Sequence, residues 1–209
     1  MLVRISKSLP KGLSLLNGVR QYVEDKAGFT FKGGLFVPRH NNVLAVLGVG
    51  AERFLIPGHN IVTDAGDIFY SQKATGAAAT NAFANLVLGT GKTAAWAKNG
   101  APSQYGNLTG PIAASNKAVS ASYPMAPDTD TTNNPVGAGG SGNNVISWKF
   151  SYAAADFTQT GTNITDGVVT IAAPVSGSPL LCGFTFTTAF TKASTDTLLV
   201  FVNHQLLGS

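Results

Sequence analysis

The clearest pattern in this chain is a strict alternation around residue 150. Ile146, Trp148, Phe150 and Tyr152 share one parity, and Ser147, Lys149 and Ser151 the other. An extended strand would therefore turn all its large apolar groups to one face. Residues 181–188 repeat this, with Cys182, Phe184 and Phe186 set against Gly183, Thr185 and Thr187. Over 196–207, Leu198, Val200, Val202, His204 and Leu206 share a face, while Leu199 and Phe201 opposite them predict burial on both sides. The apolar runs 43–49 and 85–89 suit short buried strands. Residues 167–172 form a further strand, 118–123 alternates loosely, and 61–63 and 67–70 are short candidates. The Ala-rich stretch 74–83 reads as one short helix. Gly, Asn, Pro and Thr supply the turns between these elements. The pattern predicts a mainly β protein, an antiparallel β-sandwich of about eight strands, jelly-roll- or immunoglobulin-like.

Two other stretches set the domain organisation. Residues 1–59 read as a basic N-terminal extended arm or small subdomain, in which Leu9, Leu13, Leu16 and Val23 hint at a helical face that Gly12 and Gly18 weaken. Pro57-Gly58 closes it, and 60–209 is the β-sandwich domain. Inside that domain, 124–144 holds Pro127, Asp128, Asp130, Asn133, Asn134, Pro135 and a glycine-rich run from Gly137 to Gly142. Its composition predicts a long loop outside the core.

Charge changes this picture. Charged residues make up 11% of the 209 residues, against about 25% in ordinary globular chains. A surface of short uncharged polar groups costs less to desolvate against a neighbour. The net charge of +4 is uneven: residues 1–60 hold eight Lys/Arg against three Asp/Glu, and 61–209 hold six against seven. The basic first segment suits docking on an acidic partner surface, with Arg4, Lys7, Lys11, Arg20 and Arg39 as the docking residues. Its charge is too sparse for a nucleic-acid groove, so nucleic acid is not an expected partner. A single cysteine, Cys182, excludes an internal disulfide framework and reads as a small core residue. With no apparent signal peptide and no apolar run of membrane-spanning length, the chain is expected to fold in a reducing cytoplasm and not in a membrane.

Motifs for catalysis fail on required residues. Gly89-Thr90-Gly91-Lys92-Thr93 resembles the end of a phosphate-binding loop, but Leu86 stands where that loop needs its first glycine. Gly139-Gly140-Ser141-Gly142-Asn143 has Asn143 where a nucleophile elbow needs glycine. His40, His59 and His204 lack metal-ligand spacing: the first two are expected at solvent-facing turns, and His204 as a satisfied sheet residue. Asp64 with Asp67, and Asp128 with Asp130, read as Asx-turn residues. The sequons at Asn107 and Asn163 signify turn-rich surface. No catalytic residue, cofactor or metal is expected, and the chain reads as a non-enzyme. Trp96 and Tyr105, in loop-like sequence, offer the alternative of a carbohydrate-binding or adhesin platform, whereas Trp148 reads as core.

Three stretches together have a familiar layout. They are Asn60-Ile-Val-Thr-Asp-Ala-Gly-Asp followed by Asn85-Leu-Val-Leu-Gly; Asn144-Val-Ile-Ser-Trp-Lys-Phe-Ser-Tyr after a polar loop; and Ser194-Thr-Asp-Thr-Leu-Leu-Val-Phe-Val-Asn-His. Over residues 60–209 this order resembles small structural proteins of tailed bacteriophages. The resemblance implies a homo-oligomeric β-sandwich virion protein, either a capsid cement or decoration subunit bridging major-capsid subunits, or a neck, tail or fibre component. The basic arm favours the first.

Overall fold

The computed structural model describes residues 3–5, 29–32, 35–38, 42–91, 94–134 and 144–206. Its strands are β1 (Val3–Ile5), β2 (Phe29–Lys32), β3 (Leu35–Pro38), β4 (Asn42–Val49) and β5 (Glu52–Val62). After helix α1 (Asp64–Thr75) come β6 (Asn85–Gly89), β7 (Lys117–Ala118), β8 (Val145–Tyr152), β9 (Gln159–Thr170), β10 (Leu180–Lys192) and β11 (Thr197–Gln205). Strands β4 to β11 form one antiparallel sheet in the order β7-β6-β9-β10-β5-β4-β11-β8. The sheet curls until its two ends meet. Across the seam Ser120 N–H donates to Lys149 O at 2.8 Å, and Met125 and Ser147 exchange backbone hydrogen bonds of 3.0 and 2.9 Å. The result is a nearly closed barrel. Among the described residues β2 pairs with β3 alone, and β1 lies along β5 with Arg4 opposite Phe54.

The expected β-sandwich is thus replaced by a single sheet. Alternation reports that each strand has one buried face, and this is equally true of sandwich and barrel. What decides between them is pairing between distant segments, such as Phe184 of β10 opposite Asn60 of β5. The expected boundary at 59/60 falls inside β5, and residues 42–59, assigned to the arm, contribute the hairpin β4–β5 to the middle of the sheet. The run at 43–49 is a buried strand as expected, joined to β5 by a turn at Gly50 with φ of 58°.

The inward parity of the strands fills the barrel. Trp148, Phe150, Phe184, Leu88, Ile164 and Ile56 are fully buried there. Each such side chain contributes about 1.5–3 kcal/mol of hydrophobic stabilisation. Phe184, Phe186 and Phe190 stack edge to face along β10, with centroids 5.3 and 5.2 Å apart. Phe201, on the opposite parity of β11, is also fully buried, as its apolar neighbours predicted.

The two ends of the barrel are shut differently. At one end α1 replaces the expected helix at 74–83. Thr63 caps it by accepting from Gly66 N–H at 3.2 Å, Asp64 and Asp67 occupy the first turn, and Gly76 ends it at φ 73°. Alanine content alone misplaced this helix: the stretch after Gly76 buries Phe83 in the core and packs Ala79 against it without forming a helix. At the other end the buried Lys192 donates from Nζ to Ala154 O and Phe157 O, both at 2.9 Å, and lies 5.0 Å from the Phe157 ring centroid. Burial pushes its pKa down, with Asp196 and Asp156 opposing.

The described part of the long loop is not outside the core, as expected, but folded onto it. Asp128 and Asn134 are buried. Asn134 Nδ2 donates to Asp128 Oδ2 (2.6 Å) and Asn203 Oδ1 (2.9 Å); Ser147 Oγ donates to Asn203 Oδ1 (2.7 Å), and Asn203 Nδ2 to Asn42 Oδ1 (3.0 Å). Asn42, Asn203 and Ser147 face one another across adjacent strands, so strand register builds the network. Truncating Asn203 to Ala strips partners from three buried groups. The expected cost is about 3 kcal/mol by urea unfolding, with amide exchange in residues 125–134 accelerating first. A loss below about 0.5 kcal/mol would show that the network does not anchor the loop.

Candidate binding site at the helix-capped end

Helix α1 crosses the mouth of the barrel because its residues reach both walls. Gly66 packs on β10, where an added Cβ would lie 2.3 Å from Leu181 O. On the far side the Phe69 ring lies 6.0 Å from Trp148 and 5.6 Å from Phe83. Two hollows flank the helix, and Tyr70 lines both. The larger, about 710 Å³, is an apolar cleft lined by Phe69, Phe83, Val119, Met125, Ile146 and Trp148, with Lys73 on its border. The smaller, about 260 Å³, is lined by Asn60, Tyr70 and His204 and rimmed by Ile61, Asp67, Lys98 and Leu206.

Between the hollows runs a directional hydrogen-bond chain. Trp148 Nε1–H, which can only donate, reaches Tyr70 Oη at 2.8 Å. Burial pushes the Tyr70 phenol well up, so it stays protonated and donates to His204 Nδ1. The His204 ring is buried, and burial pushes its pKa down to about 3. It is therefore neutral at pH 7, with Nδ1 accepting and the hydrogen on Nε2. Asn60, buried beside it, donates from Nδ2 to Asn42 O at 3.0 Å.

The residues singled out from sequence fall in different places. Arg4 is in β1; Lys7, Lys11, Arg20 and Arg39, with His40 and Lys92, lie outside the described residues. His59 is exposed, but in strand β5 and not at a turn. Cys182 is buried, and burial pushes its thiol pKa up, as suits a core residue. The backbone N–H groups of Thr90 and Gly91 donate to Gly110 O (3.1 Å) and Thr109 O (3.0 Å), so neither points free towards a phosphate. Asp67 pairs with Lys98. Asp128 Oδ1 accepts from Asp130 N–H at 2.9 Å, as an Asx turn does. Among the described residues no acidic, His or Cys cluster has the makings of a metal site, and no helix is long and apolar enough to cross a membrane.

Trp96 departs from its expected loop exposure. It lies flat on Gly183, where a Cβ would come within 2.3 Å of its ring, and Nε1 donates to Phe184 O at 3.1 Å. With Val87, Leu108, Val168 and Leu180 it forms an apolar layer outside the sheet, against which the half-buried Tyr105 packs. Asn60, Tyr70 and the link from Trp148 to His204 through Tyr70 were missed in the sequence. The available signal was parity: it put Trp148 and His204 on the inward face of two separate strands, but nothing in sequence says that these are neighbours.

His204 gives this end a pH dependence. Its folded pKa lies below the ordinary 6.5, so the unfolded chain takes up the proton first as pH falls, and stability drops between pH 6.5 and 3. From pH 6.5 to 4.5 the wild type should lose about 2 kcal/mol more than a His204→Gln variant, measured by urea unfolding. Parallel losses would assign the titration elsewhere. Comparison of the chain with protein-family models, curated proteins and solved structures finds no match.

Proposed function

We propose that this chain is a non-enzymatic structural subunit of a virus particle, of the tailed-phage kind whose layout it resembles. Within the particle it acts as a capsid cement or decoration subunit that bridges major-capsid subunits. The observation that carries this reading is a barrel filled by its own side chains and shut at both ends by α1 and Lys192. Such an interior leaves the outer surface to do the work. That surface belongs to a chain with few charges, which suits extensive contact with neighbours. The basic first segment, with Arg4, Lys7, Lys11, Arg20 and Arg39, supplies complementarity to an acidic shell and speeds encounter. A carbohydrate platform is less well supported, because Trp96 is committed to Gly183.

Mass spectrometry of purified virus particles provides the test. The chain should be present in many copies per particle. Replacing the five basic residues by Gln in the full chain should lower incorporation at least about tenfold with unchanged circular dichroism. A chain absent from particles, or incorporated equally well without those charges, would overturn the reading.

A further inference from the structure

Asn60 and His204 line the smaller hollow, and one buried polar atom of each, Asn60 Oδ1 and His204 Nε2, has no hydrogen-bond partner among the described residues. Both side chains are more than nine-tenths buried, at 7% and 1% exposure. Their chemistry is fixed by what holds them. Asn60 spends its Nδ2 on Asn42 O, which leaves the carbonyl oxygen as a bare acceptor. The relay from Trp148 through Tyr70 occupies His204 Nδ1, which leaves Nε2–H as a bare donor. Buried polar groups are nearly always paired, and a bare pair in one hollow points to something that enters it.

The hollow, about 260 Å³, exceeds the roughly 30 Å³ that one water occupies in the liquid. Its rim mixes apolar side chains with the ion pair of Asp67 and Lys98. Ile61 and Leu206 line it, and Ile68 stands beside Asp67 on α1; all three remain exposed. The occupant must therefore offer an acceptor and a donor at its tip, and any apolar atoms behind it would lie on Ile61 and Leu206. A carboxylate has no hydrogen for Asn60 Oδ1, and an ammonium has no acceptor for His204 Nε2–H. A hydroxyl must serve both from a single atom and leaves most of the space unfilled.

We propose that this hollow is a binding site for the carboxamide side chain of a partner polypeptide. The amide oxygen accepts from His204 Nε2–H, and the amide NH2 donates to Asn60 Oδ1. Ile61 and Leu206 cover the methylenes and the neighbouring residues of the partner. The site's chemistry is independent of any assembly role, because free amides suffice to probe it.

The test is an NMR titration of the isotope-labelled full chain, read at the His204 ring and the Asn60 side chain. Acetamide should give saturable shifts at both, and N,N-dimethylacetamide, which has no N–H, should bind at least about tenfold more weakly. An Asn60→Leu variant should lose that preference; the comparison of the two amides in the wild type stands even if the variant does not fold. A short Leu-Gln-Leu peptide should then saturate at least about tenfold below acetamide, and its Gln→Leu counterpart should not compete. Equal binding of the two amides, or no shift at any concentration, would overturn the site. Amide selectivity without any gain from the peptide would overturn the polypeptide as occupant.

Discussion

The structure depends on one requirement: a sheet that buries one face by curling must also close its ends. Eight antiparallel strands turn their apolar parity inward around Trp148, Phe150 and Phe184. Curling removes most of the exposed edge that a flat sheet would leave, but it creates two open mouths. At one, α1 places Phe69 against the core while Gly66 lets the helix backbone approach β10. At the other, a single buried ammonium gathers carbonyl oxygens from the 153–158 turn and stands over an aromatic ring. A methionine in place of Lys192 would fill the space and leave those carbonyls unpaired.

The buried polar network follows from the same geometry. Where the barrel wall turns polar residues outward at the helix-capped end, strand register aligns Ser147, Asn203 and Asn42 in a row. The returning loop completes the row with Asn134 and Asp128, whose second oxygen takes the Tyr123 hydroxyl at 2.6 Å. Each member satisfies the next, so the loop is held by hydrogen bonds where its composition offers almost nothing apolar. Lys149 adds a contact from β8, with its amino group 2.7 Å from Asp130.

The candidate site grows out of these two features. Tyr70 sits on α1 because that helix plugs the mouth, and His204 sits inward because β11 alternates. Their meeting fixes a neutral imidazole of one tautomer at the bottom of a surface hollow. Asn60 reaches the same hollow from β5, held by the backbone of β4. The consecutive elements β5 and α1 thus converge with the distant β11 on a few polar atoms.

Composition and parity alone determined a good deal. The strands at 145–152 and 181–188, most of the last strand (Thr197–Gln205, with Leu206 beyond it and exposed), the double burial around Phe201, the core roles of Trp148 and Cys182, and the shortage of charge were all readable, because each depends on a residue's neighbours along the chain. Tertiary structure alone decided that the sheet closes on itself, that residues 42–59 belong to it, and that Trp96 packs on Gly183. It also decided that Asn134 reaches Asn203 and that Tyr70 meets His204. These depend on which distant strands pair and in what register, and a hydrophobic period carries no record of its partner. The helix shows the boundary between the two: its cap at Thr63 and its stop at Gly76 were present in the sequence, yet alanine content outweighed them until packing on β10 showed which signal governed.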